Sequence, residues 1–566
     1  MNNKEYLKTL RHSAAHLLAH AVQELFPNTL LTIGPATDDG FFYDMLPEKN
    51  FKQEDLEPIA IRMHEIVRRN VPLTHEQMPK KQARELFAHN PFKLELIDGI
   101  PGDTVGIARQ GNFFDLCRGG HVESTALLDH FVLLHLSGSY WRADRNNTPL
   151  QRIYGTIFPS AQELEEYLKR KEELAKYDHR KLGKELDLFS FHDEGVGFVF
   201  YHPKGKIIIN AMTDYLKKEL QHANYQEIAT PIMLSDTLWR RSGHYSHYKD
   251  NMYFCTVDEG QYAIRPMNCP GAMLLYNERP RSYRQLPMRL AEFGQVHRHE
   301  LSGVLHGLMR VRSFVQDDAH IFCTEDQIQH EVASLITLIQ KVLHHYGFTD
   351  LQVALSTKPD NAMGSSELWD LATSSLKQAL EHAQISYEIK EGNGAFYGPK
   401  IDVHIKDSMD RQWQCSTIQL DFMQPINFDL AYITPQGTKA RPVMIHRAIY
   451  GSIERFFGIL LEHYKGILPL WLAPIQARVL TITDAQKEYA HQIAITLKHN
   501  GMRVDVDQTS DPLAGQIKSA QLERIPWMLI VGNKEVSQKT ITLRLLDGKQ
   551  ETGHTIESLL AKHTAI

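Results

Sequence analysis

Apolar residues recur every third or fourth position in RHSAAHLLAHAV, residues 11–22, a spacing that predicts a helix with one apolar face. His12 and His16 sit four apart on it, so both imidazoles project from the same side. Residues 1–157 otherwise mix short helices with strand-like runs such as FKLELIDGI, which predicts an α/β domain. The charged, proline-free stretch SAQELEEYLKRKEELAKYDHRKLGKEL keeps a helical period and reads as a connector over 158–186. A block rich in strands flanked by Gly and Pro follows, over 187–467. Beyond it, over 468–566, ARVLTIT, AQKEYAHQIAITLKHNG, RVDVD and PWMLIVG alternate strand and helix. That order predicts a small α/β domain with a largely parallel sheet.

The polar positions inside these elements carry the chemistry. In RLAEFGQVHRHELSGVLHGLMRVRSFVQDDAHIF two strand-like runs flank a Gly-containing loop, which predicts a long hairpin. Alternate residues of a strand share a face, so Arg298 and Glu300 face one way on the first strand. Gln316, Asp318 and His320 line up on the second. Polar groups in a row beside apolar neighbours are costly to bury without partners, which predicts a ligand pocket. RPVMIHRAIYGSIERFFGILLEHY reads as a strand ending near His446 and running into a helix that carries Ser452 and Arg455. The arginines of these two segments could hold a polyphosphate through bidentate hydrogen bonds, or Arg455 could simply make an intrahelical ion pair. The chain has no GxxxxGK[ST] loop, so an ATP site here must be of another kind. In FFDLCRGGHVEST, Cys117 and His121 could join His12 and His16 as a tetrahedral metal set, or the four could serve other chemistry.

Composition narrows the class. An apolar content of 42% with 23% charged residues describes an ordinary folded protein of 566 residues. No apolar run approaches the ~18 residues needed to cross a membrane, and MNNKEYLKTLRHS lacks an apolar signal core. Five scattered cysteines form no disulfide framework, so a reducing cytoplasm is expected. A net charge of −6 argues against bulk electrostatic binding of nucleic acid while leaving room for a local basic surface.

LHGLMRVRSFVQDDAHIF, RPMNCPG, AFYGPKIDVHI and PVMIHRAI, in the arrangement found here, resemble the threonyl-tRNA synthetases, a family of class II aminoacyl-tRNA synthetases. The resemblance covers nearly the whole chain. It implies a multidomain α+β protein: an antiparallel class II core, an N-terminal α/β editing domain and a C-terminal α/β anticodon-binding domain. It also implies activation of L-threonine with ATP and magnesium, then transfer to tRNA(Thr), by a homodimer. The segment from IIINAMTDYLKKELQHANYQEIA to Pro231 resembles the dimer-forming motif 1 of this class. Arg298 would contact the α-phosphate, Arg310 and Arg455 the γ-phosphate, and Glu300 the adenine end. Cys269, His320 and His446 match the family's zinc ligands, one zinc per subunit, which would grip the amine and hydroxyl of threonine. Gln316, Asp318, Met267, Tyr397, Lys400 and Ser452 would complete the substrate site.

That chemistry rejects valine, which lacks the hydroxyl, far better than serine, which lacks one methyl. A methylene-sized difference is worth only ~1–3 kcal/mol. A second, hydrolytic site is therefore needed, and HxxxH with a distant CxxxH resembles it: His12, His16, Cys117 and His121, with Asp115 and Lys93 beside them. The same pattern in alanyl-tRNA editing domains is associated with zinc; in the threonyl family it reads as metal-free, and that reading is adopted. The resemblance begins after the small ubiquitin-like domain with which the family usually opens. In the last domain Glu535 and Arg544 match anticodon-reading positions, while Thr509 and Ser510 stand where an Arg-Asn pair is usual.

Overall fold

The computed structural model describes residues 3–144 and 146–564. Its contacts group the chain into two units, Met1–Glu173 and Leu174–Ile566.

In the first unit the opening helix, Asn3–Leu25, is long rather than short. Leu10, Ala14, Leu17, Leu18, Ala21 and Val22 are fully buried along one face. They pack with Tyr43, Ile59, Met63, Ile66 and Ile153 into the unit's main core. A four-stranded antiparallel sheet, including Phe41–Leu46, Phe131–Tyr140 and Pro149–Ile157, forms one wall. A second sheet pairs Leu73–Pro79, Thr104–Gln110 and Phe113–Leu116. FKLELIDGI, expected as a strand, is the helix Pro91–Gly99 instead. Its start signal decides: Asn90 accepts from the backbone N–H of Phe92 and Lys93, and Pro91 fills the first helical position.

The connector is two helices. Ala161–Lys176 buries none of its residues, whereas His179–Glu185 buries His179 and Leu182 in the second unit. That unit is built on an eight-stranded sheet. Its six middle strands, Met288–His297, Ser313–Cys323, Val443–Ser452, Gln412–Asp421, Lys400–Lys406 and Leu351–Ser356, run antiparallel to one another, and a short strand pairs in parallel at each edge. One face packs on the helices Pro203–His222, Ile328–His345 and Ile453–His463 through a single large apolar core. The other face is left for a site.

The expected hairpin is present, but its first strand stops at His297, so Arg298 and Glu300 stand in the loop rather than on the strand. Arg298 N–H still donates to Arg312 O across the hairpin, at 2.9 Å. The strand of His446 runs on to Ser452, because RAIYGS stays extended, which puts His446 mid-strand. The final domain pairs Val504–Val506, Ala477–Thr481 and Trp527–Val531 in parallel, as alternation implied. Two further strands, Ile541–Leu545 and Gln550–His554, add an antiparallel edge. Among the described residues no helix is long and apolar enough to cross a membrane.

Candidate functional site

The sheet register assembles the first site. His320 lies directly opposite His446, and Gln419 opposite His446 on its other side. Asp318 stands opposite Ala448, and Gln316 opposite Ser452, with a bulge between them. Period-two alternation therefore turns Gln316, Asp318 and His320 to one face. Above that face lies a cavity of about 350 Å³ whose walls include Met267, Cys269, Arg298, Gln316, Asp318, Tyr397 and His446.

Cys269, the first residue of the helix Cys269–Asn277, offers its sulfur within 4.8 Å of nitrogens from His320 and His446. His446 Nε2 is bonded to the buried Asp421 carboxylate at 2.8 Å, which orients the ring and leaves Nδ1 for a metal. His320 Nε2 is buried and makes no hydrogen bond. Burial, reinforced by His446 and Arg447, pushes the His320 pKa down to about 4, so the imidazole is neutral. Burial beside Asp318 and Asp421 holds the Cys269 thiol protonated, the state a cation would reverse. An orphaned imidazole nitrogen, an oriented second imidazole and a buried thiol fit zinc.

Groups that sequence reasoning missed line the cavity or hold its walls. The Asn268 side chain, 1% exposed, donates to Asp318 at 3.2 Å. Tyr397 O–H donates to Gln419 at 2.6 Å while its ring lies 5.0 Å from that of His446. Asn268 could have been found beside Cys269 in RPMNCPG; Gln419 is placed only by register. Two predicted residues serve the frame instead. Lys400 is outside the cavity wall and pairs with Asp402 at 2.5 Å. Ser452 caps the helix Ile453–His463, accepting from Arg455 N–H.

Of the three arginines, Arg298 lines the cavity, its guanidinium 5.0 Å from the Phe314 ring. Arg455 Nε is buried without a hydrogen bond, 5.7 Å being the distance from its guanidinium to Trp413. Arg310 is exposed and salt-bridged to Glu300 at 2.9 Å.

The N-terminal unit brings its own predicted residues together. His12 Nε2 lies 3.0 Å and His121 Nε2 3.3 Å from Cys117 Sγ. His16 Nδ1 faces Asp115 at 3.2 Å, an ion-pair contact rather than an aligned hydrogen bond. Lys93 is buried and pairs with Asp115, and Tyr43 O–H donates to the same carboxylate. Burial alone would raise the Cys117 pKa, but His12, His121 and His16 outweigh it and bring the thiol down to about 3. Burial alone would lower that of His16; the adjacent Asp115 and Cys117 outweigh it and raise the imidazole to about 9. Thiolate and imidazolium thus coexist in one half-buried cluster. His20, one turn on, is absorbed by Gln110, Glu24 and the Phe113 ring.

Comparison with known proteins decides the family. A model of the tRNA synthetase class II core domain (G, H, P, S and T) matches residues 253–464. One for the threonyl and alanyl tRNA synthetase second additional domain matches 105–154, and an anticodon binding domain matches 476–565. The threonine–tRNA ligase of Carboxydothermus hydrogenoformans is 51% identical over 559 residues, covering 98% of this chain and 88% of that protein. The chain belongs to the threonine–tRNA ligase family.

The ligase of Clostridium kluyveri is likewise 51% identical, over 96% of this chain and 85% of that protein. A crystal structure titled as the RNA binding domain of threonyl-tRNA synthetase from Cryptosporidium parvum Iowa II is 43% identical, with a TM-score of 0.67. It covers 69% of this chain and 98% of that one. Aminoacylation is the activity of this ligase family, and its class II core and second additional domain are both present. In the last domain of this chain Glu535 caps its own helix, accepting from Gly532 N–H and Thr542 O–H. Thr542 and Arg544 alternate onto one face of the strand Ile541–Leu545, so Glu535 and Arg544 stand on the same side. Thr509 donates to the buried Asp507 at 2.6 Å, a contact within its own turn.

Proposed function

We propose that the chain activates L-threonine with ATP and magnesium, and passes the threonyl group to tRNA(Thr). The observation that carries this reading is the row Gln316, Asp318 and His320 beside His446 on one sheet face, with Cys269 within 4.8 Å of both imidazoles at the edge of one cavity. Cys269, His320 and His446 would hold one zinc, which when bound supplies a Lewis-acid anchor for an amine and a hydroxyl. Asp318, held by Asn268, would take the amine, with Gln316 and Met267 beside it and Tyr397 fixed by Gln419. Lys400 would act through Asp402, and Ser452 by capping the helix of Arg455. Arg298, Arg310 and Arg455 would bind the triphosphate, Glu300 releasing Arg310 to reach the adenine end. No side-chain nucleophile is required: the threonine carboxylate would attack the α-phosphorus, breaking its bond to the bridging oxygen of the β-phosphate and releasing pyrophosphate, and catalysis would be positional and electrostatic.

His12, His16, Cys117 and His121, with Asp115 and Lys93, would hydrolyse seryl-tRNA(Thr), and Glu535 and Arg544 would read the anticodon. The proposed divisions are an editing domain 1–157, a connector 158–186, a catalytic domain 187–467 and an anticodon-binding domain 468–566. A homodimer through the helix Pro203–His222 is supported by Ile232 and Met233, which stand 41% and 49% exposed just past Pro231. Five free cysteines, four of them buried, suit the reducing cytoplasm.

Amino-acid-dependent ATP–pyrophosphate exchange over a panel of amino acids tests the reading: threonine should support it best, serine weakly, valine hardly at all. Exchange indifferent to threonine would end it. Zinc content separates a second reading, a zinc hydrolase in the N-terminal unit, by giving two ions per chain rather than one.

Arg455 offers a buried nitrogen with no protein partner, a donor that an anion would satisfy. Arg455→Ala should lower exchange by at least ~10²-fold, the scale of removing one transition-state donor. A rate within a few-fold of the parent would remove Arg455 from the phosphate site.

A further inference from the structure

The helix His179–Glu185 opens under Asp178, whose carboxylate accepts from Arg180 N–H. His179 behind that cap is fully buried. Its ring bridges two segments far apart in sequence: Nδ1 meets Glu462 Oε1 at 2.6 Å, and Nε2 accepts from Leu308 N–H at 3.0 Å. A ring that accepts at Nε2 must carry its proton on Nδ1, which therefore donates to Glu462. The backbone N–H of His179 donates to the same oxygen at 2.9 Å.

Asp178, His179 and Glu462 are close enough together for a metal ion. Both ring nitrogens are already bonded, however, and Arg411 pairs with the second Glu462 oxygen at 2.6 Å. The cluster is a strut. At one end is the loop that leads to Arg310. Gly307 has φ +48°, and a Cβ there would lie 2.2 Å from His179 Nε2, so the backbone lies flat against the ring. Leu308 is fully buried, and His306 and Arg310 bridge across the turn. At the other end Glu462 belongs to the helix Ile453–His463, whose first turn carries Arg455. Arg411, bound to Glu462, lies over the Trp413 ring, which also borders Arg455.

We infer that His179 is a positioning residue for nucleotide binding: it ties the backbone at Leu308, just ahead of Arg310, to the helix that carries Arg455. The two arginines then keep one spacing for one triphosphate before ATP arrives. This rests on the proposed reading of Arg310 and Arg455 as ATP contacts.

Two substitutions of the full chain divide the strut. In His179→Asn the amide nitrogen can take the place of Nδ1 toward Glu462, while the acceptor for Leu308 N–H is lost. In His179→Gln the longer side chain carries an oxygen to the position of Nε2. His179→Asn should raise the KM for ATP in pyrophosphate exchange about tenfold, the scale of one unsatisfied buried donor, while the KM for threonine stays within about twofold. His179→Gln should recover most of that loss, and amide exchange across residues 306–310 should quicken in the Asn variant alone. Gly307→Ala, which drives a methyl onto the same ring nitrogen, should reproduce the selective rise if His179→Asn does not fold. Equal rises in both KM values, or a fall in Tm with ATP binding unchanged, would overturn the inference. Arg310→Ala separates it from the reading beneath: if that variant raises the ATP KM and His179→Asn does not, only the inference fails. If Arg310→Ala leaves the ATP KM unchanged, the nucleotide reading fails and takes the inference with it.

Discussion

Cys269→Ser should lose zinc and threonine activation together, with exchange falling by at least ~10²-fold, the upper range for disturbing a metal's supporting contacts and a floor for removing a ligand. Cys269 is 3% exposed and packs with Met273, Tyr276, Leu286 and Leu290. Serine nearly matches its shape, so the packing term is small, and placing a hydroxyl among these neighbours costs about 1–3 kcal/mol. The loss of activity should therefore outrun the loss of stability. Retained fold, absent zinc and absent exchange together support the ligand role; retained zinc with a lowered Tm would make Cys269 a packing residue. Full threonine-dependent exchange from a zinc-free Cys269→Ser protein would sink the proposal. His320 gives an independent arm. Its Nε2 is already without a hydrogen bond, so His320→Gln should strip zinc with little further cost to the fold.

How far the site could be read in advance depends on whether its partners are local. His12 and His16 were legible because helical spacing alone fixes their common side, and Gln316, Asp318 and His320 because strand alternation fixes theirs. Cys269, His320 and His446 come from three separate elements. Only resemblance joined them, since no spacing rule spans such distances. Gln419 and Tyr43 went unread for the same reason: a polar residue in a strand names a face, while register names its partner. His179 looked like one more polar residue in a charged connector, and its burial follows from a helix break at Tyr177 and Asp178 that the smooth period concealed. FKLELIDGI shows the converse error. Its apolar positions suit a strand nearly as well as a helix, and the preceding Asn-Pro, a helix start, was the better guide. The last antiparallel pair also had a local signal, the Asp547-Gly548 turn with Gly548 at φ +90°, standing between two short runs.

In the N-terminal unit, His12→Ala or Cys117→Ala should leave threonine activation near its parental rate and abolish clearance of serine from tRNA(Thr). The chemistry proposed for the first site would make that clearance necessary: groups that grip an amine and a hydroxyl discriminate weakly against the loss of one methyl. The cluster is suited to it because it holds opposite charges in a poorly hydrated place. Asp115, itself paired with Lys93, keeps the His16 imidazolium; three imidazoles around Cys117 keep the thiolate. The linkage signs differ. The stabilisation from His16 is complete below its ordinary pKa of 6.5 and fades as pH rises through about 9. That from Cys117 is complete above its ordinary pKa of 9.0 and fades as pH falls through about 3. Between those limits the charge pair persists, so deacylation of preformed seryl-tRNA should show no inflection from Cys117 or His16 across that range. Mutants that instead lose Tm and threonine activation in parallel would assign the cluster to the fold. Unchanged deacylation in both variants would withdraw the editing role. Chelator decides the remaining question: the metal-free reading expects no effect, whereas chelator-sensitive deacylation in the parent protein would make the same four residues a zinc site, with the Cys117 thiolate as its strongest ligand.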